Sequence, residues 1–207
     1  MENEKNKLFS TQNLMRMGLL SAISVLLMQF DFSVPGLFPP FLKVDLGEVP
    51  AIVGILVVHP LAGLVIPFIK ILIDSLIFQS TTGYVGEASN LIISIAYLMP
   101  LMIITNKNKS FKATVVGLTL GIVTTTIVGC ISNYFIILPL YAKIFMPLDV
   151  IIGMGAKVNS AITDMKSFVY LIIAPFNIFK STIVSIASVT IVKAILPVMK
   201  MLRSKQA

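Results

Sequence analysis

Three polar side chains within apolar segments are the groups in this sequence best suited to bind a small molecule. Asn177 and Lys180 lie three residues apart in PFNIFKSTIVS, and Asn133 lies in GCISNYFI. Residues at positions i and i+3 of a helix share a face. A carboxamide offers a donor and an acceptor, and an ammonium offers donors. Together they suit the edge of a heteroaromatic ring that carries carbonyls and ring nitrogens.

Each of these groups also has a structural explanation. Lys180 would extend its ammonium to the membrane interface while Asn177 caps a helix that begins after Pro175. Asn133 would form a hydrogen bond between helices, worth only about 0.6 kcal/mol on average. Against this, a charge inside a membrane span costs about 2.5–3.5 kcal/mol on insertion scales, so Lys180 is expected to face the protein interior or a wet cavity.

Two further polar pairs lie in apolar surroundings. Glu87 and Asn90 in GYVGEASN form a third candidate binding group, unless Glu87 is a solvated loop acid or a charge at a helix N-terminus. Lys70 and Asp74 have i, i+4 spacing, so we expect them to neutralise each other. The alternative for this second pair is a polar route to the binding site.

Catalytic chemistry is not indicated. The sequence has no GxxxxGK[ST], HExxH or GxSxG motif and no paired carboxylates on one helical face. A single cysteine, Cys130, and a single histidine, His59, exclude disulfides, cysteine-based metal sites and a histidine cluster. We therefore predict no catalytic residues and no metal site, and any energy source must be a partner protein.

The composition defines the class of protein. Of 207 residues, 57% are hydrophobic and 12% charged, with a mean hydropathy of +0.96, whereas soluble domains have about 25% charged residues. We predict an all-α integral membrane protein with a single domain over residues 1–207. A membrane helix needs roughly 20 mainly apolar residues. The six predicted spans are residues 12–30, 47–61, 62–79, 89–105, 112–138 and 168–196.

The distribution of positive charge orients these spans. With the amino terminus inside, ten of the 16 basic residues fall inside, four outside and two, Lys70 and Lys180, within spans. This follows the positive-inside rule, so we predict a compact bundle of six transmembrane helices with both termini cytoplasmic. Topology and contact with the anionic lipid bilayer explain the formal charge of +7, and no nucleic-acid partner is expected. Acidic residues before the first apolar run indicate a retained helix rather than a signal peptide.

The predicted outer side carries the irregular segments. We expect loop 31–46, rich in proline and phenylalanine, to form a structured extracellular cap, and loops 80–88 and 139–167 to be irregular. The inner loops are short and basic, so a small-molecule site is expected near the outer face. On the first span, Gly18 and Ala22 have a small-xxx-small spacing. Such residues allow close approach of a helix, either from a partner protein or from within the bundle.

Five segments occur in the order found in one known family. Together with six spans in 207 residues, they make the chain similar to the substrate-binding S components of energy-coupling factor (ECF) vitamin importers, and within these to the riboflavin-specific members. The most specific pieces are KVDLGEVPA and FNIFK. The five segments are FPPFLKVDLGEVPAIVG (38–54), HPLAG (59–63), GYVGEASN (83–90), SNYF (132–135) and PFNIFKSTIVS (175–185).

The resemblance implies a vitamin-binding bundle in the cell membrane of a bacterium, with the ligand at the extracellular side beneath the first loop. It implies riboflavin as ligand, a transmembrane coupling subunit and two ATP-hydrolysing subunits as partners, and neither enzymatic activity nor a cofactor in this chain. In the family, the S component topples in the bilayer to carry its ligand inward. Gly18 and Ala22 match the family's docking face, although alanine is usual at position 18.

The resemblance also implies a set of binding residues with three roles. Three side chains contact the ring, the cap covers the ligand with its main chain, and the segment Tyr84–Asn90 borders the pocket. The ring contacts are Asn133, Asn177 and Lys180; the cap residues are Lys43, Val44, Asp45, Leu46 and Gly47; the bordering residues are Tyr84, Glu87 and Asn90.

Two other functions stay open from the sequence. The chain could be an S component for another vitamin, or a structural or assembly membrane protein whose polar groups merely pair between helices. FMN also stays open as a second ligand, because Lys43 near the mouth of the site would tolerate a phosphate.

Overall fold

The described part of the protein is mostly helical. The computed structural model describes residues 10–78, 80 and 82–204, with side chains as far as residue 194. Of the chain ends predicted to be cytoplasmic, residues 1–9 and 205–207 lie outside the described residues. The helices of the first half are α1 (Thr11–Gln29), α2 (Val49–Val57), α3 (Ala62–Ile77) and α4 (Val85–Lys107). Those of the second half are α5 (Phe111–Ser132), α6 (Leu138–Ile144), α7 (Leu148–Ala156), α8 (Met165–Phe168) and α9 (Ala174–Ser204).

Two π-helical turns join pairs of helices without a break. Asn133–Ile137 connects α5 to α6, and Val169–Ile173 connects α8 to α9. Among the residues that the structure describes, three helical stretches are long and apolar enough to cross a membrane, namely α4, Phe111–Ile144 and Met165–Ala194. Helix α2 has nine residues and rises only about 14 Å, against roughly 30 Å of hydrocarbon. A helix lies at each predicted span, while six crossings and their orientation stay predictions.

Glycines allow α4 and α5 to pack closely. A Cβ atom on Gly117 would lie 2.8 Å from the Cα of Leu101. On Gly121 it would overlap the carbonyl oxygen of Tyr97. Small residues at such positions permit the close backbone approach typical of membrane helices. This contact fixes α4 against α5, and both helices contribute residues to the site described below.

Residues 31–46 form an ordered cap, as the sequence predicts. Strands β1 (Phe32–Ser33) and β2 (Lys43–Val44) pair in antiparallel register, and Lys43 Nζ lies 3.0 Å from Asp31 Oδ2. The ring of Phe38 packs edge-on against Phe176 of α9, with 5.2 Å between ring centroids. The strand pair shapes the cap, and the aromatic contact attaches it to the last helix.

The prediction of an irregular loop over residues 139–167 is wrong, because α6, α7 and α8 occupy most of this segment. Ile151 of α7 is 1% exposed and belongs to the same apolar cluster as Phe168 and the cap residue Phe38. Burial of this face outweighs the weak helix propensity of the glycines. At the start of α8, Asp164 accepts a hydrogen bond from the main-chain N–H of Ser167 at 2.7 Å. This bond lowers the pKa of the exposed Asp164 carboxyl.

Candidate ligand-binding site

A cavity of about 170 Å³ lies beneath the cap. A water-sized group needs about 10–15 Å³ of such space, so the cavity admits roughly a dozen of them. The cap, α4, both π-helical turns, α6, α7 and α9 all contribute to its walls. The cavity brings together predicted residues from four separate segments. These residues are Lys43, Asn90, Asn133, Asn177 and Lys180.

Aromatic and aliphatic side chains form the other walls. Phe41 of the cap and Tyr141 of α6 line the cavity with 6.4 Å between their ring centroids. Phe176 and Ile151 contribute from α9 and α7. Neither Phe41 nor Tyr141 is among the residues predicted to bind ligand. The aromatic composition of the cap was a usable signal for Phe41, whereas Tyr141 lies in the segment predicted to be irregular. Such walls suit a flat ring system.

The two amides are positioned by the π-helical turns. Asn133 is the first residue of one turn, and its Nδ2 donates to the carbonyl of Gly129 at 2.8 Å. Asn177 follows the other turn, and its Nδ2 donates to the carbonyl of Ile173 at 2.9 Å. Within the described part of the chain, no donor reaches the Oδ1 atom of either amide. Both amides therefore offer an acceptor, which matches a ligand that carries N–H or O–H groups.

Gly129 is the point at which these amides meet and was not predicted. Its carbonyl accepts from Asn133, and a Cβ atom on it would lie 2.7 Å from Nδ2 of Asn177. Glycine thus allows α9 to bring Asn177 against α5. Gly129 lies four residues before Asn133 in GCISN, and this spacing was the feature of the sequence that could have indicated its contact with Asn133.

Lys180 supplies the cation of the site. Its Nζ lies 2.7 Å from Asp45 Oδ2, and the two side chains are 14% and 5% exposed. The other carboxylate oxygen of Asp45 accepts from the main chain of Gly47 at 2.8 Å. Lys180 is therefore directed inward, and the explanation in which its ammonium reaches the interface is wrong. The capping explanation for Asn177 is also wrong, because the helix runs on from the preceding π-helical turn.

The predicted mutual neutralisation of Lys70 and Asp74 is wrong. Lys70 Nζ contacts Glu48 Oε1 at 2.8 Å and Asn90 Oδ1 at 3.1 Å. Asp74 instead accepts from Gln29 Nε2 at 2.7 Å. Spacing along α3 placed the pair on one face, but Glu48 at the start of α2 lies within reach of the ammonium. Asn90 also lines the cavity, so its hydrogen bond with Lys70 connects Lys70 to the site. The alternative interpretation, a polar route to the binding site, therefore describes Lys70 better than pairing with Asp74.

Tyr84 and Glu87 do not line the cavity, although they were expected to border it. The Tyr84 side chain is 58% exposed, and its main chain has a left-handed φ of 65°. Glu87 accepts a hydrogen bond from Thr82 Oγ1 at 3.0 Å. Asn90, further along α4, is the predicted residue of this segment that reaches the cavity. Tyr84 precedes α4 and Glu87 lies in its first turn, and neither residue lines the cavity.

Of the five cap residues predicted to cover the ligand, Lys43 lines the cavity directly, whereas Val44, Leu46 and Gly47 hold the cap in place. Val44 is fully buried, and Leu46 packs against the apolar cluster formed by α1 to α5 and α9. The carbonyl of Gly47 accepts a hydrogen bond from Ser24 of α1. Asp45 acts on the site through its ion pair with Lys180.

Gly18 and Ala22 lie on an exposed face of α1. A Cβ atom on Gly18 would meet nothing within 4 Å, and Ala22 is exposed. Leu19 and Leu26, which are 64% and 59% exposed, lie on the same helix. These small residues are therefore not packed within the bundle, and that alternative explanation of their spacing is wrong. Their face of α1 is accessible to lipid or to a partner protein.

Comparisons with known proteins agree on one family. The family profile described as "ECF transporter, substrate-specific component" matches residues 12–192. The riboflavin transporter FmnP of Bacillus subtilis (strain 168) is 33% identical over 178 residues, covering 84% of this chain and 87% of that protein. The riboflavin transporter RibU of Staphylococcus aureus (strain TCH60) is 31% identical over 186 residues, covering 89% and 91%. A solved S component of a bacterial ECF transporter superposes with a TM-score of 0.69 at 26% identity, covering 90% of this chain and 96% of that chain.

Proposed function

Because this chain belongs to the family of ECF transporter substrate-specific components, we propose that it binds riboflavin at the extracellular side of a bacterial cell membrane and delivers it inward. Two relatives that span most of the chain are named riboflavin transporters. The fold neighbour is an S component. These similarities support the choice of ligand, and the chemistry of the cavity supports it independently.

The observation that carries the proposal is the combination of the two amide acceptors and the buried Lys180 ammonium in a cavity with aromatic walls. The isoalloxazine ring is flat and uncharged, and it presents an imide N–H between two carbonyl oxygens. The Oδ1 atom of one amide suits this single N–H, that of the other suits a ribityl hydroxyl, and Lys180 suits a carbonyl oxygen. The aromatic walls suit the ring faces. The charge of Lys180 is already balanced by Asp45, so a neutral ligand fits.

The partners follow from the same proposal. A transmembrane coupling subunit would dock on the α1 face around Gly18 and Ala22, and two ATPase subunits would supply the energy. We assign no catalytic step to this chain. FMN would be the weaker ligand, because its phosphate would have to compete with Asp31 for the ammonium of Lys43. In the cap, Lys43 and Asp31 already form an ion pair at 3.0 Å.

The test is a titration of purified protein with riboflavin, followed by quenching of flavin fluorescence. Asn133→Leu and Asn177→Leu keep side-chain volume but remove the acceptor. Leaving a ligand N–H or O–H unpaired costs about 1–3 kcal/mol, so each variant is expected to weaken binding roughly 5- to 150-fold. Asn106→Leu, at the exposed end of α4, is the matched control and is expected to bind normally.

Two results would overturn the proposal. Saturation by another vitamin with no quenching of riboflavin would identify an S component of different specificity. Absence of binding to any vitamin, with both amide variants changing only thermal stability, would favour a structural membrane protein.

A further inference from the structure

Asn90 has the opposite hydrogen-bonding arrangement to the other two amides of the ligand cavity. Lys70 Nζ donates to Asn90 Oδ1 at 3.1 Å, and Ser94 Oγ lies 3.3 Å from the same oxygen. Asn133 and Asn177 instead use their Nδ2 atoms within the protein and leave Oδ1 available. All three amides line the cavity, but they do not offer the same group to a ligand.

Lys70 determines which way the Asn90 amide points. The oxygen and the nitrogen of a carboxamide are distinguished by their hydrogen-bond partners. An ammonium has only donors, so the reversed amide would place its NH2 group against the ammonium. Lys70 is itself held in place, because its side chain is 1% exposed and its Nζ contacts Glu48 Oε1 at 2.8 Å. The oxygen of Asn90 is therefore held towards Lys70.

The nitrogen of Asn90 is left for the cavity. Among the described residues, no acceptor reaches Asn90 Nδ2. The buried side-chain polar atoms that lack a partner in this part of the chain are Glu48 Oε2 and Ser188 Oγ, and Asn90 Nδ2 is not one of them. An atom that is neither paired nor buried is accessible, and the accessible space that Asn90 lines is the ligand cavity. Its N–H groups are therefore available to a ligand there.

We propose that Lys70 fixes the polarity of Asn90, so that Asn90 donates a hydrogen bond to an acceptor atom of the bound ligand. Asn90 contacts the ligand, and Lys70 acts through Asn90 as a positioning residue. Glu48 in turn holds Lys70 through their ion pair. The identity of the ligand rests on the proposed function, and riboflavin carries suitable acceptors both on its ring and on its ribityl chain.

The variant Asn90→Asp tests the donor. A carboxylate keeps an acceptor for Lys70 and removes both N–H groups. Riboflavin binding should weaken roughly 5- to 150-fold, because an acceptor of the ligand would face an oxygen instead of a donor. A residue that only satisfied Lys70 would be replaced by aspartate without loss of binding, so unchanged affinity would overturn the proposal. Asn106→Asp, at the exposed end of α4, controls for the added charge and should bind normally.

The charge swap Glu48→Lys, Lys70→Glu tests the positioning role of Lys70. It keeps an ion pair between the two positions but places an acceptor next to Asn90. The amide would then turn its NH2 group to the new carboxylate and its oxygen to the cavity. Riboflavin binding should again weaken roughly 5- to 150-fold. Binding equal to that of the unmodified protein would show that Lys70 does not set the polarity of Asn90.

Removal of the ion pair is the control for the charge swap. Glu48→Met, Lys70→Met removes one charge of each sign and lets the amide take either orientation. With two equally populated orientations, affinity should fall only about twofold. If this variant binds as weakly as the charge swap, loss of the native pair explains both results and the proposal is overturned. Asn90→Asp keeps the native pair, so it tests the donor whatever the stability of the charge swap.

Lumiflavin, which carries a methyl group in place of the ribityl chain, separates the two sources of the acceptor. An equal loss of affinity for both flavins in Asn90→Asp places the acceptor on the ring, and a loss for riboflavin alone places it on the ribityl chain. A loss for neither flavin contradicts the proposal. Titration of the unmodified protein tests the proposed function separately. If another vitamin saturates the site, the same variants are titrated with that vitamin.

Discussion

Replacement of Lys180 by methionine separates the two roles of the site cation. The ammonium lies 2.7 Å from Asp45 Oδ2, and both side chains are largely buried, at 14% and 5% exposure. Methionine keeps the length of the side chain and removes the charge. Asp45 would then be a buried carboxylate that keeps only its bond from the main chain of Gly47.

Two magnitudes follow. Removing one partner of a buried ion pair costs about 3–5 kcal/mol, so Lys180→Met is expected to lower the free energy of unfolding by that amount. Loss of a hydrogen bond from a charged donor to the ligand costs about 1.5–3 kcal/mol, which corresponds to roughly 10- to 150-fold weaker riboflavin binding. Stability and affinity should both fall in the single variant.

The double variant Asp45→Asn, Lys180→Met distinguishes these effects. Replacing both partners of a buried pair is often nearly neutral for stability, and the carboxamide introduced by Asp45→Asn would keep an acceptor for the main-chain N–H of Gly47. Thermal unfolding should therefore return towards that of the unmodified protein. Riboflavin titration should still show weak binding, because the donor to the ligand is absent.

Either of two results would refute this reasoning. If the double variant regains both stability and affinity, Lys180 acts only by holding the cap through Asp45, and it has no direct contact with the ligand. Normal affinity in the single variant would lead to the same conclusion.

Two further predictions test the buried network and the amide contact. Lys70→Met removes the cation of the Lys70–Glu48 pair, whose side chains are only 1% and 6% exposed. This variant should lower the free energy of unfolding by about 3–5 kcal/mol. Lys43→Met removes the cation of the exposed Lys43–Asp31 pair, whose side chains are 52% and 34% exposed. It should change the free energy of unfolding by about 0–1 kcal/mol. If thermal unfolding showed equal losses for the two variants, burial would not be the deciding factor. Gly129→Ala should weaken riboflavin binding, because the new Cβ would lie 2.7 Å from Asn177 Nδ2. Gly153→Ala, where nothing lies within 4 Å, should leave the titration unchanged, and equal affinities in these two variants would argue against a role for that contact.

The helical core was predictable because its signal is local. The predicted span 89–105 corresponds to α4, Val85–Lys107, and the predicted span 168–196 overlaps almost completely with the continuous helix from Met165 to Ala194. Long apolar runs allow few structures other than a helix in a membrane. A polar residue in such a run is costly unless it has a partner or a function, which is why Asn133, Asn177 and Lys180 were recognisable.

The residues of segment 139–167 and the apolar walls were not predictable for the opposite reason. Helix α7 exists because Ile151 is buried beneath the cap, a contact between segments distant in sequence. Tyr141 reaches the cavity only because the helix continues through the π-helical turn. Neither contact leaves a periodic pattern long enough to detect.

The sequence by itself determined the class of protein, the places of its long helices and the polar groups that must be satisfied within them. Only the tertiary structure decided how those groups are paired. Lys70 had a carboxylate four residues away, yet it bonds to Glu48 from another helix, and Lys180 bonds to Asp45 across 135 positions. Spacing restricts which face a side chain occupies, whereas electrostatic energy depends on the distance to every charge that packing brings near.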